Sequence, residues 1–235
     1  MLIGALMIGC GNSESNFTGA SAESDRGPSA EDDRSAADQA AVGSGANSDE
    51  LRSIVFIGTS LTAGLGLPED QSFPLLIERR IRAAGLPFRV VNAGVSGETS
   101  AGALRRIDWL LRQPLDVVVL ETGANDMLRG IDSSSTEQNI QTIIDRIRSA
   151  NPETRIVLAG MFALPNLGEA YRRDFEAIYP RLAARNDVEL VPFLLEGVAG
   201  ERDLNQADGV HPSAEGQRIV ADTVWAVLEP VLAAL

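Results

Sequence analysis

The chain has 235 residues, 44% of them hydrophobic, and carries 33 acidic against 20 basic side chains, for a net charge of −13. Every basic residue except the lone His211 is arginine, and so acidic a balance argues against nucleic acid or an anionic bilayer surface as the natural partner, since both demand basic patches. The single cysteine, Cys10, excludes an intrachain disulfide framework and any cysteine-cluster metal site.

Residues 1–10, "MLIGALMIGC", are apolar but too short for a transmembrane helix, which needs roughly 20 residues. They resemble a bacterial lipoprotein signal, with Cys10 as the lipidation site, although a basic n-region is missing and Met7 stands where leucine is usual. The plainer alternative is an apolar terminus on a soluble protein. Residues 11–50 hold 9 acids, 2 arginines, one Phe and one Val among Ser, Gly, Ala and Asn. Such a stretch cannot bury enough apolar surface to offset its ordering entropy, and it reads as a disordered acidic linker. The folded domain is therefore expected over residues 51–235, carrying −6 of the total charge. These features together predict an exported protein whose contact with a membrane runs only through an N-terminal lipid anchor.

From residue 51 onward, short β-branched runs alternate with helical patterns. Strands are expected over 53–58, 88–94, 116–123, 155–161 and 188–193, nearly continuous in apolar residues as in a parallel sheet covered on both faces. Helices are expected over 71–84, 100–112, 136–149, 168–185 and 213–234, the last with Ser213 as N-cap. Five βα units predict an α/β fold: a three-layer α/β/α arrangement around a five-stranded parallel sheet. In such a sheet ligands bind beyond the carboxyl ends of the strands, so the chemistry is to be sought just after each one.

After the first strand, "IGTSLTAGLG" presents Ser60 beyond Gly58 and Thr59. It is a candidate nucleophile, but equally a serine in a glycine-rich loop, or even a phosphate loop lacking the usual lysine. After the second strand, "NAGVSGETS" has Gly94 and Gly97, which allow close backbone approach to a ligand; Thr99 or Ser100 also fits the N-cap of the next helix. After the third, "ETGANDMLRG" offers the Asn125 amide as a donor, although an Asn-Asp pair is also a common turn. After the fifth, "NQADGVHPSAEG" holds the only histidine, His211, three residues beyond Asp208. That spacing lets a carboxylate hold one ring nitrogen while the other serves as a base. Ser60, Gly97, Asn125 and the Asp208/His211 pair thus all fall at the carboxyl edge of the sheet.

These four blocks, "GTSL", "SGETS", "GAND" and "DGVH", in that order, resemble the SGNH (GDSL-type) hydrolases, over essentially all of residues 51–235. The likeness is greatest to the bacterial acyl-CoA thioesterase I, lysophospholipase and arylesterase enzymes. It implies a flavodoxin-like topology, a Ser60–His211–Asp208 triad, and an oxyanion hole built from the N–H groups of Ser60 and Gly97 and the Asn125 amide. No cofactor and no metal is implied. Thr59 departs from the family by standing where "GDSL" has aspartate; the resemblance implies that this aspartate is not a triad member, so the change is expected to alter local hydrogen bonding without abolishing chemistry.

The substrate expected is a small-molecule acyl ester of short to medium chain, of the arylester, lysophospholipid or thioester type. After the fourth strand, Met161, Phe162, Leu164 and Pro165 form a mostly apolar stretch that reads either as an acyl-chain wall or as packing of the strand end. Arg129 reads as a surface arginine or as a guide for an anionic headgroup. Alternatives are a carbohydrate acetylesterase, against which the apolar 161–167 loop counts, and a binding lipoprotein on an inactive hydrolase fold. With one domain and no heptads, a monomer is expected.

Overall fold

The computed structural model describes residues 51–235. The lipidation site expected at Cys10 and the linker expected over 11–50 lie outside the described residues.

The elements follow in chain order β1 (Arg52–Gly58), α1 (Ser60–Ala63), α2 (Phe73–Ala83), β2 (Phe88–Gly94), α3 (Ser100–Leu110), β3 (Val117–Glu121), α4 (Ala124–Leu128) and α5 (Ser133–Ala150). After these come β4 (Arg155–Ala159), α6 (Glu169–Glu176), α7 (Ile178–Asn186), β5 (Glu189–Val191) and α8 (Ala214–Ala233). The five strands are all parallel, in the order β2-β1-β3-β4-β5. That is the flavodoxin-like order, and its switch point between β1 and β3 places the ends of both strands beside the cleft.

The α/β sandwich expected from the alternation is present because both faces of the strands are apolar and both are covered. α2 packs on α8, while α3, α5 and α7 form a second group. Along β1, Ile54 and Phe56 alternate with Val55 and Ile57, and all four are buried. Phe56 meets Phe73 of α2 edge to face, with ring centroids 5.6 Å apart. Helix starts are capped: Thr99 accepts from the Gly102 N–H, Asp132 from Ser134 and Ser213 from Gly216, satisfying donors that would otherwise be orphaned. Thr99, not Ser100, is the cap of α3.

Several boundaries differ from the sequence expectation: β4 ends at Ala159 rather than 161, α5 begins at Ser133 rather than 136, and three further differences have a local cause. The helix expected over 168–185 is two helices, broken at Ala177. Pro180 explains the break: it has no N–H to return to Glu176, and its ring crowds that carbonyl. β5 stops at Val191 because Pro192 cannot continue the ladder. β3 stops at Glu121, two residues early, because Gly123 turns into the left-handed region at φ 105. A Cβ there would lie 2.4 Å from Tyr179 Oη, which donates to the Thr122 carbonyl. That sharp turn starts α4 and brings Asn125 to the sheet edge. Among the described residues, no helix is long and apolar enough to cross a membrane.

Candidate active site

β1 runs directly into the one-turn helix α1, whose first residue is Ser60. Thr59 caps it, accepting from the Leu61 N–H, and Gly64 closes it in the left-handed conformation at φ 71. The turn is too tight for a side chain at Gly58, where a Cβ would come within 2.0 Å of Thr62 Oγ1. Ser60 is almost buried, and its Oγ lies 2.9 Å from His211 Nε2.

His211 comes from the loop before α8. That loop is a small hairpin: Asn205 bridges Pro212, the Gln206 N–H donates to the His211 carbonyl, and Gly209 turns at φ 69. Asp208 Oδ1 accepts the Val210 and His211 N–H groups, at 2.9 and 3.0 Å, while Oδ2 lies 2.7 Å from His211 Nδ1. The His211 N–H, then its ring, then the Val210 N–H hold the Asp208 carboxyl well below the usual carboxylate range. An ionised Asp208 can only accept, so Nδ1 carries the proton and Nε2 is left to accept from the Ser60 hydroxyl. The three residues thus form one directed hydrogen-bond chain.

Facing Ser60 is the loop after β2. Gly97 adopts φ 77, which a side chain would strain. The Arg129 guanidinium donates to its carbonyl at 2.8 Å. Glu98 is gripped by Arg106 through Nε and Nη2, while Arg106 Nη2 also donates to the Ala93 carbonyl. Asn125 Nδ2 donates one hydrogen to the Glu98 carbonyl at 3.0 Å, which orients the amide and leaves its second N–H available. The backbone N–H groups of Ser60 and Gly97 donate to no group among the described residues. Asp126 is buried beneath, accepting from the backbone and hydroxyl of Ser100, and locks α3 to α4. Asn-Asp is therefore not merely a turn here; each residue ties a different neighbour.

The reacting groups among these open on one cleft of about 660 Å³, with Asp208 behind His211. Ser60, Gly97, Asn125 and His211 line it, together with Met161, Phe162, Leu164 and Pro165, so the structure brings every one of the cleft residues expected from sequence to one place. A smaller groove of about 440 Å³ along the edge strand β2 contains none of them. Residues 56–219 match the model of the GDSL-like lipase/acylhydrolase family. The chain belongs to this family.

Within it, the chain is 37% identical to esterase TesA of Pseudomonas aeruginosa over 182 residues, covering 77% of this chain and 90% of that protein. It is 35% identical to thioesterase 1/protease 1/lysophospholipase L1 of Escherichia coli K12 over 180 residues, 76% of this chain and 84% of that one. Among solved structures, AlinE4, an SGNH-hydrolase family esterase, superposes with a TM-score of 0.64 at 43% identity, covering 77% of this chain and 97% of that chain.

The rest of the GDSL-like cleft was not foreseen from sequence. Phe193, two residues beyond β5, stacks on Phe162 with ring centroids 4.2 Å apart and planes 7° from parallel. Leu65, Leu128, Leu195 and Val210 complete the apolar lining. Arg129 is exposed, as a surface arginine should be, yet it braces Gly97. Glu121, hidden in an apolar strand, lies directly under the Ser60 turn. No spacing rule marks such residues, because their partners come from distant segments. Among the described residues no group of His, Cys, Asp and Glu side chains could hold a metal ion.

Proposed function

We propose that the protein is a serine esterase that hydrolyses short-to-medium acyl esters through a Ser60–His211–Asp208 triad and an acyl-enzyme. The observation that carries this reading is the continuous chain from Ser60 Oγ through His211 to Asp208, at 2.9 and 2.7 Å, standing at the mouth of an apolar cleft. His211 Nε2 takes the hydroxyl proton as Ser60 Oγ attacks the acyl carbonyl. The tetrahedral oxyanion is held by the N–H groups of Ser60 and Gly97 and by the free hydrogen of the Asn125 amide. His211 then protonates the departing alcohol or thiol; it next takes a proton from water, which attacks the acyl-enzyme, and returns that proton to Ser60 Oγ as the carboxylic acid leaves. Asp208 keeps the productive tautomer and stabilises the imidazolium.

The aliphatic and aromatic walls around Phe162 and Phe193 favour an acyl chain over a sugar, since a carbohydrate would leave its hydroxyls unpaired against them. The relatives named as esterase and as thioesterase/lysophospholipase support the same class. Export with a lipid on Cys10 is part of the proposal and favours oxygen esters or lysophospholipids over cytoplasmic CoA thioesters. Mass spectrometry of the protein from a membrane fraction tests it, and an unmodified Cys10 there would remove the anchor.

The deciding experiment is a p-nitrophenyl ester series from acetate to palmitate on residues 48–235, alongside Ser60→Ala. Turnover that vanishes in the variant is the expected result. No turnover from folded protein with any ester would overturn the reading in favour of a sugar-linked acetyl substrate or an inactive fold.

A further inference from the structure

Glu121 is the last residue of β3 and is completely buried, yet no cation pairs with it among the described residues. Its partners all come from the Ser60 turn. Oε2 accepts the Thr59 N–H at 2.7 Å and the Thr62 hydroxyl at 2.9 Å, and the Thr59 hydroxyl reaches Oε1 and Oε2 at 3.0 and 2.9 Å. One carboxylate therefore grips the residue immediately before Ser60 and the residue two beyond it. Gly58 makes room for the grip, since a Cβ there would sit 2.7 Å from Glu121 Oε2.

Stability alone does not account for this residue. Burial raises the Glu121 pKa, opposed by the Thr59 N–H and the two threonine hydroxyls, so ionisation works against the folded state. A well-packed apolar side chain would avoid that cost. What an apolar side chain could not do is accept hydrogen bonds from both ends of one turn. We propose that Glu121 is a positioning residue, holding Thr59 and Thr62 so that the Ser60 hydroxyl stays aligned with His211. This rests on Ser60 being the nucleophile.

The same contacts explain how threonine can stand where the family motif has aspartate. The Thr59 hydroxyl brings its own proton to Glu121. An aspartate there would set two carboxylates against each other, and the pair would have to share a proton. Tyr179, whose own pKa burial and then the charge of Glu121 push up, is the neighbouring titratable group, and Asp126 acts on that same tyrosine. Neither supplies a positive charge that would relieve such a pair.

The test compares wild type, Glu121→Gln and Thr62→Val by steady-state kinetics on a p-nitrophenyl ester and by the rate of Ser60 labelling with a fluorophosphonate. Gln keeps the shape but turns one acceptor into a donor. With the Ser60 hydroxyl misplaced, kcat and the labelling rate should fall on the order of 10–10²-fold in Glu121→Gln, with KM unchanged in protein shown to be folded. Thr62→Val should show a smaller fall of the same pattern. A Glu121→Gln protein that labels and turns over at the wild-type rate would overturn the proposal. Should Glu121→Gln not fold, full activity in Thr62→Val would overturn it equally. Failure of the wild type itself to label would instead overturn the reading of Ser60 as nucleophile, so the two failures are distinct.

Discussion

Replacing Asn125 by alanine tests the oxyanion site where the structure is most specific. The amide has two hydrogens, and one is already committed to the Glu98 carbonyl at 3.0 Å. The variant therefore removes one donor to the oxyanion, together with the hydrogen bond to the Glu98 carbonyl. Loss of one such donor costs about 10²–10³ in kcat, or about 2.7–4 kcal/mol. Ground-state binding should change little, because the donor strengthens its bond only as charge develops on the oxygen, so KM should stay near wild type. The Gly97–Glu98 loop should also persist, since Arg129 still holds the Gly97 carbonyl and Arg106 still holds Glu98 and Ala93. The assay is kcat and KM on the best p-nitrophenyl ester, with circular dichroism to show that the fold is intact. Asn125→Asp gives a sharper contrast: its shape is nearly the same, but it offers acceptor oxygens, and should be slower still. A folded Asn125→Ala enzyme within about threefold of wild-type kcat, under 1 kcal/mol, would refute the placement of the oxyanion beside Asn125.

Three more outcomes follow from the geometry. Asp208→Ala strips His211 of its tautomer-fixing partner and should lower kcat by about 10³–10⁴-fold, measured on the same ester. Phe162→Ala removes the stack on Phe193 and opens the cleft; the chain-length profile should broaden toward bulkier acyl groups, with the rate on the former best ester falling about tenfold. Glu121 should leave a signature in stability against pH. Its folded pKa lies above its unfolded one, so its contribution is fully present below the unfolded value and is lost as pH rises through the folded value. Glu121→Gln has no such proton to lose, so the melting temperature of wild type relative to this variant should fall with rising pH over that window.

The alternation of apolar strands and amphipathic helices was sufficient to read five βα units and a parallel sheet, because covered parallel strands must be apolar on both faces. The residues with an intrinsic chemical signature could be read too: the lone histidine, the aspartate three before it, and Ser60, Gly97 and Asn125 after their strands. None of them announces a role alone, since each also fits an ordinary loop or turn; it is their shared placement after the strands, in four ordered blocks, that points to one site. Sequence periodicity also overran element ends, among them those at Ala177, Val191 and Glu121, where Pro180, Pro192 and the left-handed Gly123 override it.

What the tertiary structure alone decided is who meets whom. Glu121 looks like an ordinary strand residue until Thr59 and Thr62, some 60 positions earlier, fold onto it. Phe193 becomes a cleft wall only when β5 lies beside β4 and brings it onto Phe162. Arg129 acquires its task only because Gly97 turns its carbonyl toward it. These are non-local contacts, set by strand order and register. A side chain's own chemistry is written at its position in the chain, whereas the partner that gives that chemistry a use is supplied by the fold.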